Sequence, residues 1–409
     1  MKTYLLLSIA SISLFSSCNK AVNHRLEDGK WRGEFSISDQ EFPFLFEVEG
    51  AATDSATIYL INGSERVSLK GVSYSGDTVT IPIEAYDARL TGIITNNEFN
   101  GRFIKQYIEG DEGVSFLAIK GESPRFAKAT TPVNIPLSGK WDIQFIGEKG
   151  DTTNNVGIFN QEGDILTGSI LTSSGDLRYL EGALTDDGFQ FSAFAGLSPY
   201  LIKGKFEGND NFSGEFYTSR GTTKLTGKRN AEATLADPYS LAYMKKGFDR
   251  IDFTFPNIGG KQVSLSDPRF KDKVVIVSIL GSWCPNCLDE MEYLSPWYKE
   301  NKDRGVEIIG LAFERKDDPE YVKTVLSRLV KKYDVDYEIL FAGKLGDDAT
   351  AKALPQVSKI LGYPTTIFID KKGIVRKIHT GFNGPATGLF YEEFKQDFNK
   401  VIDDLLAEK

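Results

Sequence analysis

From residue 29 onward, apolar and polar residues alternate in short runs: 31–36, 43–48, 56–60, 79–83, 90–95 and 99–103. A period of two puts one face of an extended chain inward. Turn-forming clusters such as Gly76-Asp77 and Asn96-Asn97 separate the runs. Frequent short strands with such punctuation predict an antiparallel sandwich or barrel over 28–122. The pattern then returns. Gly29-Lys30-Trp31 is echoed by Gly139-Lys140-Trp141, and Phe99-Asn100-Gly101-Arg102-Phe103 by Phe212-Ser213-Gly214-Glu215-Phe216. Two markers in the same order predict a second copy of the β-domain over 138–229, with a core of its own. Pro124, Pro132 and Pro136 mark 123–137 as a linker, and 230–246 reads as a second, partly helical one. Complete strand sets between such segments predict mobile linkers and β-domains that fold independently of the rest.

At about residue 247 the period changes. The run 274–280, VVIVSIL, is apolar and β-branched throughout, as in a strand buried on both faces. Further strands are expected at 262–265, 306–313, 337–341, 365–370 and 374–379. Helices are expected at 285–302, 318–333, 351–361 and 390–406. Strands alternating with helices make 247–409 an α/β domain with a mixed sheet.

The first 17 residues do not belong to this scheme. Lys2 precedes an apolar stretch too short to span a bilayer, and Ser16-Ser17 lead into Cys18. The segment resembles a bacterial lipoprotein signal, with 14–18 as the lipobox and Phe15 its one unusual residue. This implies a signal peptide over 1–17 and lipid on Cys18. Residues 18–27 then form a tether to the membrane, with the protein facing the periplasm in the cell envelope. The formal charge of −9, without a long basic run, argues against a nucleic-acid partner.

Once Cys18 is set aside, two cysteines remain: Trp283-Cys284-Pro285-Asn286-Cys287, at a strand-to-helix junction. A helix N-terminus favours thiolate over thiol, so Cys284 would be a nucleophile at neutral pH. Pro285 fits the first turn, where its missing N–H costs nothing. Cys287, one turn deeper, can attack a mixed disulfide. A structural disulfide and half of a zinc site are the other readings of such a pair. The first would add little stability over so short a loop, and the second lacks ligands beyond His24 and His379. No metal is expected, and no cofactor besides the Cys284–Cys287 disulfide. Glu290, three residues after Cys287, shares its helical face. His379 is expected to be exposed and without a role.

The W-C-x-x-C motif after a buried strand, with Gly362-Tyr363-Pro364-Thr365-Thr366 before a later one, resembles the thioredoxin superfamily. Within it, 248–409 resembles the TlpA/ResA-like membrane-anchored thiol–disulfide oxidoreductases. The resemblance implies a cis bond before Pro364, with the Tyr363 backbone free to pair with a substrate strand. It implies Trp283 as a flat apolar contact, and Glu290 as an acid trading protons with Cys287. It implies exported protein thiols or disulfides as substrates and a membrane dithiol as electron donor. Two positions depart from the thioredoxin pattern. Ser278 stands where its buried strand acid would be, and Glu292 where its helix-bending proline would be, so a straighter helix is expected. Two other functions compete. A thiol peroxidase would need Thr three residues before its cysteine, where this chain has Gly281. A binding lipoprotein would use the β-domains to hold a glycan or a protein.

Overall fold

The computed structural model describes residues 24–408 apart from 54, 132–134 and 347. The signal segment and Cys18 lie outside them. Among the described residues no helix is long and apolar enough to cross a membrane.

The first β-domain has nine strands: β1 (Gly29–Ile37), β2 (Gln40–Glu49), β3 (Thr57–Asn62), β4 (Glu65–Leu69), β5 (Ser73–Ser75), β6 (Thr78–Ile83), β7 (Ala88–Thr95), β8 (Glu98–Lys105) and β9 (Val114–Lys120). All pairs are antiparallel, in the order β4-β3-β2-β1-β9-β8-β7-β6-β5. The sheet curls but stays open between β4 and β5. The second domain repeats the plan with β10 (Gly139–Ile146), β11 (Thr152–Glu162), β12 (Ile165–Thr172), β13 (Gly175–Asp176), β14 (Leu180–Leu184), β15 (Gly188–Ala193), β16 (Tyr200–Phe206), β17 (Asn211–Thr218) and β18 (Gly221–Arg229). Here β11 also pairs with β12, and β12 with β14, so eight strands close into a barrel, with the short β13 paired on the end of β12.

The repetition extends to details. Trp31 and Trp141 are both fully buried, and each indole donates to a carbonyl four residues back, Glu27 or Leu137. Two facing glycine pairs, Gly92–Gly101 and Gly204–Gly214, occupy matching places in β7–β8 and β16–β17. At Gly92, Gly101 and Gly214 a Cβ would run into the backbone of the neighbouring strand, and at Gly204 into the Phe189 ring.

The third domain holds the hairpin β19 (Thr254–Pro256) and β20 (Gln262–Ser264). Its main sheet comprises β21 (Val274–Leu280), β22 (Val306–Glu314), β23 (Glu338–Lys344), β24 (Thr365–Ile369) and β25 (Val375–Thr380), in the order β23-β22-β21-β24-β25. The first three strands run parallel and the last two antiparallel. The helices are α1 (Pro285–Asn301), α2 (Pro319–Tyr333), α3 (Ala349–Ala353) and α4 (Leu389–Ala407). Every residue of the central β21 is buried, because both faces are covered. Val274, Ile276 and Leu280 join the core beneath α1 and α4, while Val275, Val277 and Ile279 join the opposite one.

Two expectations fail locally. The helix expected over 351–361 ends at Ala353, as Pro355 forbids continuation. Residues 230–246 contain no helix: Pro238 interrupts them, and they run along the third domain as a bonded strap. Thr380 N–H donates to Pro238 O, Lys245 N–H to Gln356 O, and Met244 bridges to Val357. Helix α1 also contains a proline, Pro296, four residues beyond Glu292.

Where they are described, Arg125 and the 238–245 stretch of the two linkers are packed against neighbouring segments rather than free. Arg125 is 2% exposed. Its guanidinium reaches Pro43 O and Ile61 O in the first domain, Ser192 Oγ in the second, and pairs with Glu181 at 3.3 Å. Phe194 from the second domain enters the open first sheet, with ring centroids 4.8 Å from Phe35 and 5.1 Å from Phe103. Asn62 fixes it there, accepting from Phe194 N–H at 3.0 Å and donating to Phe194 O at 3.2 Å. One continuous buried apolar cluster runs from Trp31 through Phe194 to Leu405. The first β-domain lacks the closure that would make it self-sufficient, and its neighbours provide it.

Candidate active site

Strand β21 ends at Leu280, and the turn after it delivers Cys284 to the N-cap of α1. Cys284 has an extended backbone, and its Sγ accepts the Cys287 N–H at 3.2 Å. Pro285 takes the first helical position, as its fixed φ favours. The two sulfurs are joined, with Cα atoms 5.2 Å apart. When the bond is reduced, the free N–H groups and dipole of α1 stabilise a thiolate on Cys284.

The turn itself is held from β22. Glu314, with no exposed surface, accepts Ser282 N–H at 2.9 Å and Ser282 Oγ–H at 2.6 Å. Burial raises its pKa against those two bonds. Trp283 Nε1 donates to Phe313 O at 2.8 Å. Gly281 is required at its position, since a Cβ there would collide with the Trp283 indole and meet Phe313 O at 3.0 Å. Sequence reasoning did not single out Glu314. Its one signal was a carboxylate closing an otherwise apolar run.

Opposite the cysteines, the Tyr363–Pro364 bond is cis. Tyr363 O lies 3.5 Å from Cys284 Sγ, and the Tyr363 ring stands edge-on to Trp283, centroids 5.3 Å apart. Trp283, Cys284, Tyr363 and Pro364 thus form one cluster, built from the ends of β21 and β24.

Glu290 is 2% exposed. Its two carboxylate oxygens accept hydroxyls from Ser278 and Thr366, each at 2.7 Å. Those donors are register partners across β21 and β24. The strand position where thioredoxins carry an acid therefore donates to an acid on the helix. Burial pushes the Glu290 carboxyl up to about 7, opposed by the two hydrogen bonds.

His379 departs from expectation. It is 8% exposed, wedged between Tyr239 and Phe394 with ring centroids 5.0 and 5.4 Å away. Burial lowers its pKa to about 4, so it is neutral at physiological pH. Its strand end looked open in sequence, but the 230–246 strap and α4 cover it. Arg178, absent from the sequence reading, reaches the site from the second β-domain. It donates to Asp289 Oδ1 on α1 at 2.5 Å and to Glu65 Oε1 on β4 at 2.5 Å. Burial opposes its charge, but these carboxylates outweigh burial and keep it cationic.

This fold and this cysteine pair define a thioredoxin-fold thiol–disulfide oxidoreductase. Residues 248–378 match the AhpC/TSA family. The chain is 30% identical to thiol-disulfide oxidoreductase ResA of Bacillus cereus over 142 residues, 33% of this chain and 70% of that one. It is also 30% identical to ResA of Bacillus subtilis over 138 residues, 34% of this chain and 69% of the relative. The chain belongs to the ResA-like thiol–disulfide oxidoreductase family through its third domain. A solved thiol-disulfide oxidoreductase from Bacteroides fragilis aligns with 36% of this chain and 99% of its own. It does so at 21% identity and a TM-score of 0.27, too low to support an argument.

The raised Glu290 pKa has a consequence for stability. Folding keeps the proton on Glu290 between its ordinary pKa of 4.5 and about 7. The contribution is fully present below the ordinary value and is lost as pH rises through the folded one. The loss amounts to something on the order of 3 kcal/mol above neutral pH. Glu290→Gln removes this term. Denaturant unfolding at acidic and alkaline pH should show a smaller decline for the variant than for the parent. Identical pH dependence in both would contradict the assignment.

Proposed function

We propose that this protein reduces disulfides in exported proteins, anchored to the outer side of a bacterial membrane by lipid on Cys18. The observation that carries the reading is the Cys284–Cys287 pair at the start of α1, with Tyr363-Pro364 against it and buried Glu290 one turn further along the helix. The chemistry is a two-electron exchange. The Cys284 thiolate attacks one sulfur of the substrate disulfide, that bond breaks, and one substrate thiolate leaves. Cys287 then gives its proton to Glu290 and attacks Cys284 Sγ. The mixed disulfide breaks, the second substrate thiolate leaves, and the Cys284–Cys287 disulfide remains. A membrane dithiol then has to return the two electrons. Burial raises the pKa of a thiol such as Cys287, and a carboxylate titrating near neutrality is suited to accept its proton. Trp283, Tyr363 and Pro364 bind the substrate segment around the reacting sulfur. Gly281 favours exchange over peroxide reduction, because the hydroxyl needed there has no room beside Trp283.

Insulin reduction tests the roles of the cysteines. Cys284→Ser should abolish turnover, whereas Cys287→Ser should accumulate mixed disulfides with partners, visible on non-reducing gels. Parent-like turnover in both variants would sink the site assignment.

Glu290→Gln should slow exchange while preserving the fold. General-base catalysis commonly contributes about 100-fold or more, so a loss of at least several-fold is expected near neutral pH. The loss should shrink at high pH, where Cys287 ionises unaided. A flat ratio of variant to parent rates across the pH range would remove the base role.

The anchor is tested by fractionation. A Cys18→Ser protein should leave the membrane fraction or remain uncleaved, since the acyl chains provide the retention. A correctly cleaved variant that still sediments with membranes would exclude the lipid.

A further inference from the structure

Cys284, the sulfur that a substrate has to reach, is only 4% exposed. A sulfur must be reached in line by a partner sulfur before the bond can exchange. A segment of the second β-domain lies directly beside the cysteine motif. Between β12 and β14 the chain makes a tight hairpin over 172–178, in which β13 pairs back on the end of β12.

Its tip lies between two glycines of the third domain. At Gly362, the residue before Tyr363, a Cβ would overlap Ser174. At Gly381 it would meet Ser173 O at 3.0 Å and Gly175 N at 3.2 Å. The hairpin backbone is also held by a residue of the cysteine motif. Asn286, with its amide turned to satisfy both bonds, accepts from Asp176 N–H and donates to Asp176 O, each at 3.2 Å. Gly175 has φ +137°, and a Cβ there would strike the Asn286 side chain. The Asp176 carboxylate accepts Gly384 N–H at 2.7 Å, and Arg178 closes the hairpin onto Asp289.

We infer that the hairpin 172–178 is an internal occupant of the substrate groove, lying where an extended peptide would lie, and that exchange with a protein partner requires it to leave. The inference rests on the proposed exchange at Cys284. The groove is built for backbone: two glycines admit a chain at close range, and the Asn286 amide reads one peptide unit without selecting a side chain. A small-residue segment, Ser173-Ser174-Gly175, fits it because larger side chains would meet Gly362 and Asn286. A protein partner therefore has to present a cysteine in an extended, sterically slim segment and outcompete a tethered one. The observed affinity for such a partner is reduced by the fraction of molecules with the hairpin displaced.

The test uses reduced full-length protein and two variants that expel the hairpin differently. Arg178→Ala removes its clamp, and Ser174→Tyr places a ring where Gly362 leaves no space. Thermal melting first establishes that each is folded. Alkylation of Cys284 by a bulky maleimide, relative to iodoacetamide, reads access without requiring turnover. In at least one folded variant the bulky reagent should gain about fivefold or more over the parent, as expected for release from a sparsely open state. Insulin reduction should accelerate alongside it. A bulky-reagent rate within about twofold of the parent in every folded variant would overturn the occlusion. Faster alkylation with no insulin reduction by any form would sustain the occlusion and instead overturn the exchange reading.

Discussion

The Arg178 guanidinium is the point on which the three domains converge. It comes from the second β-domain, pairs with Glu65 on β4 of the first and with Asp289 on α1 of the third. It also lies 3.4 Å from Pro285 O, inside the cysteine motif. All three side chains are largely buried, so the attraction is offset by desolvation and the net gain in stability is small. What the arrangement provides is position. A buried charge left without its partner costs about 3–5 kcal/mol, so no domain can shift without exposing or repairing the cluster. The β-domains are thereby registered against the one helix whose N-terminus carries the chemistry. The positive φ of Arg178 and the Asp176 carboxylate that accepts its N–H shape the hairpin that aims it.

A second constraint acts within the third domain. Glu290 is an acid in a place where acids are expensive, and two hydroxyls from paired strands make it tolerable. A hydroxyl can donate to a carboxylate and can equally face a protonated carboxyl, so the site accommodates both charge states. That permits a group to titrate near neutrality inside a packed core. Glu314 is equally buried but has a different duty. It satisfies the backbone and side chain of Ser282, and so fixes the turn that presents Trp283 and Cys284. Glu290 and Glu314, both buried, thus hold the surroundings of the cysteine motif from two sides.

The first β-domain shows why a repeat in sequence need not mean equivalence in structure. Both copies share the buried tryptophan, the facing glycines and the strand order. Only the second closes: the outer edge of β12 is shared between the short β13 and β14, whereas β4 runs along the outer edge of β3. The first remains open between β4 and β5, and Phe194 and the third domain fill the gap. An apolar interior left open to water is unfavourable in proportion to its exposed area, so an open sheet has to be capped by something. Here the neighbouring domains are the cap.

Several features were legible in the chain alone because they depend on local order. Alternation gave the strands and the repeat, the unbroken run 274–280 gave the central strand, and Cys284-Pro285-Asn286-Cys287 after it gave the reactive pair. Glu290 followed from its spacing along a helix. Other features were not legible, because they depend on what packs from far away. His379 ends a strand that looks open, and the strap over 230–246 and α4 enclose it. Arg125 sits in a stretch that reads as linker and Arg178 within the second β-domain, and nothing local marks either as buried. The partners of Arg178 are more than 100 residues away in either direction. The sequence by itself determined the elements and the chemistry they carry, since period, turn residues and spacing are properties of neighbours. Tertiary structure alone decided what covers the cysteines and how the domains lock, since burial and charge pairing arise only when distant segments meet.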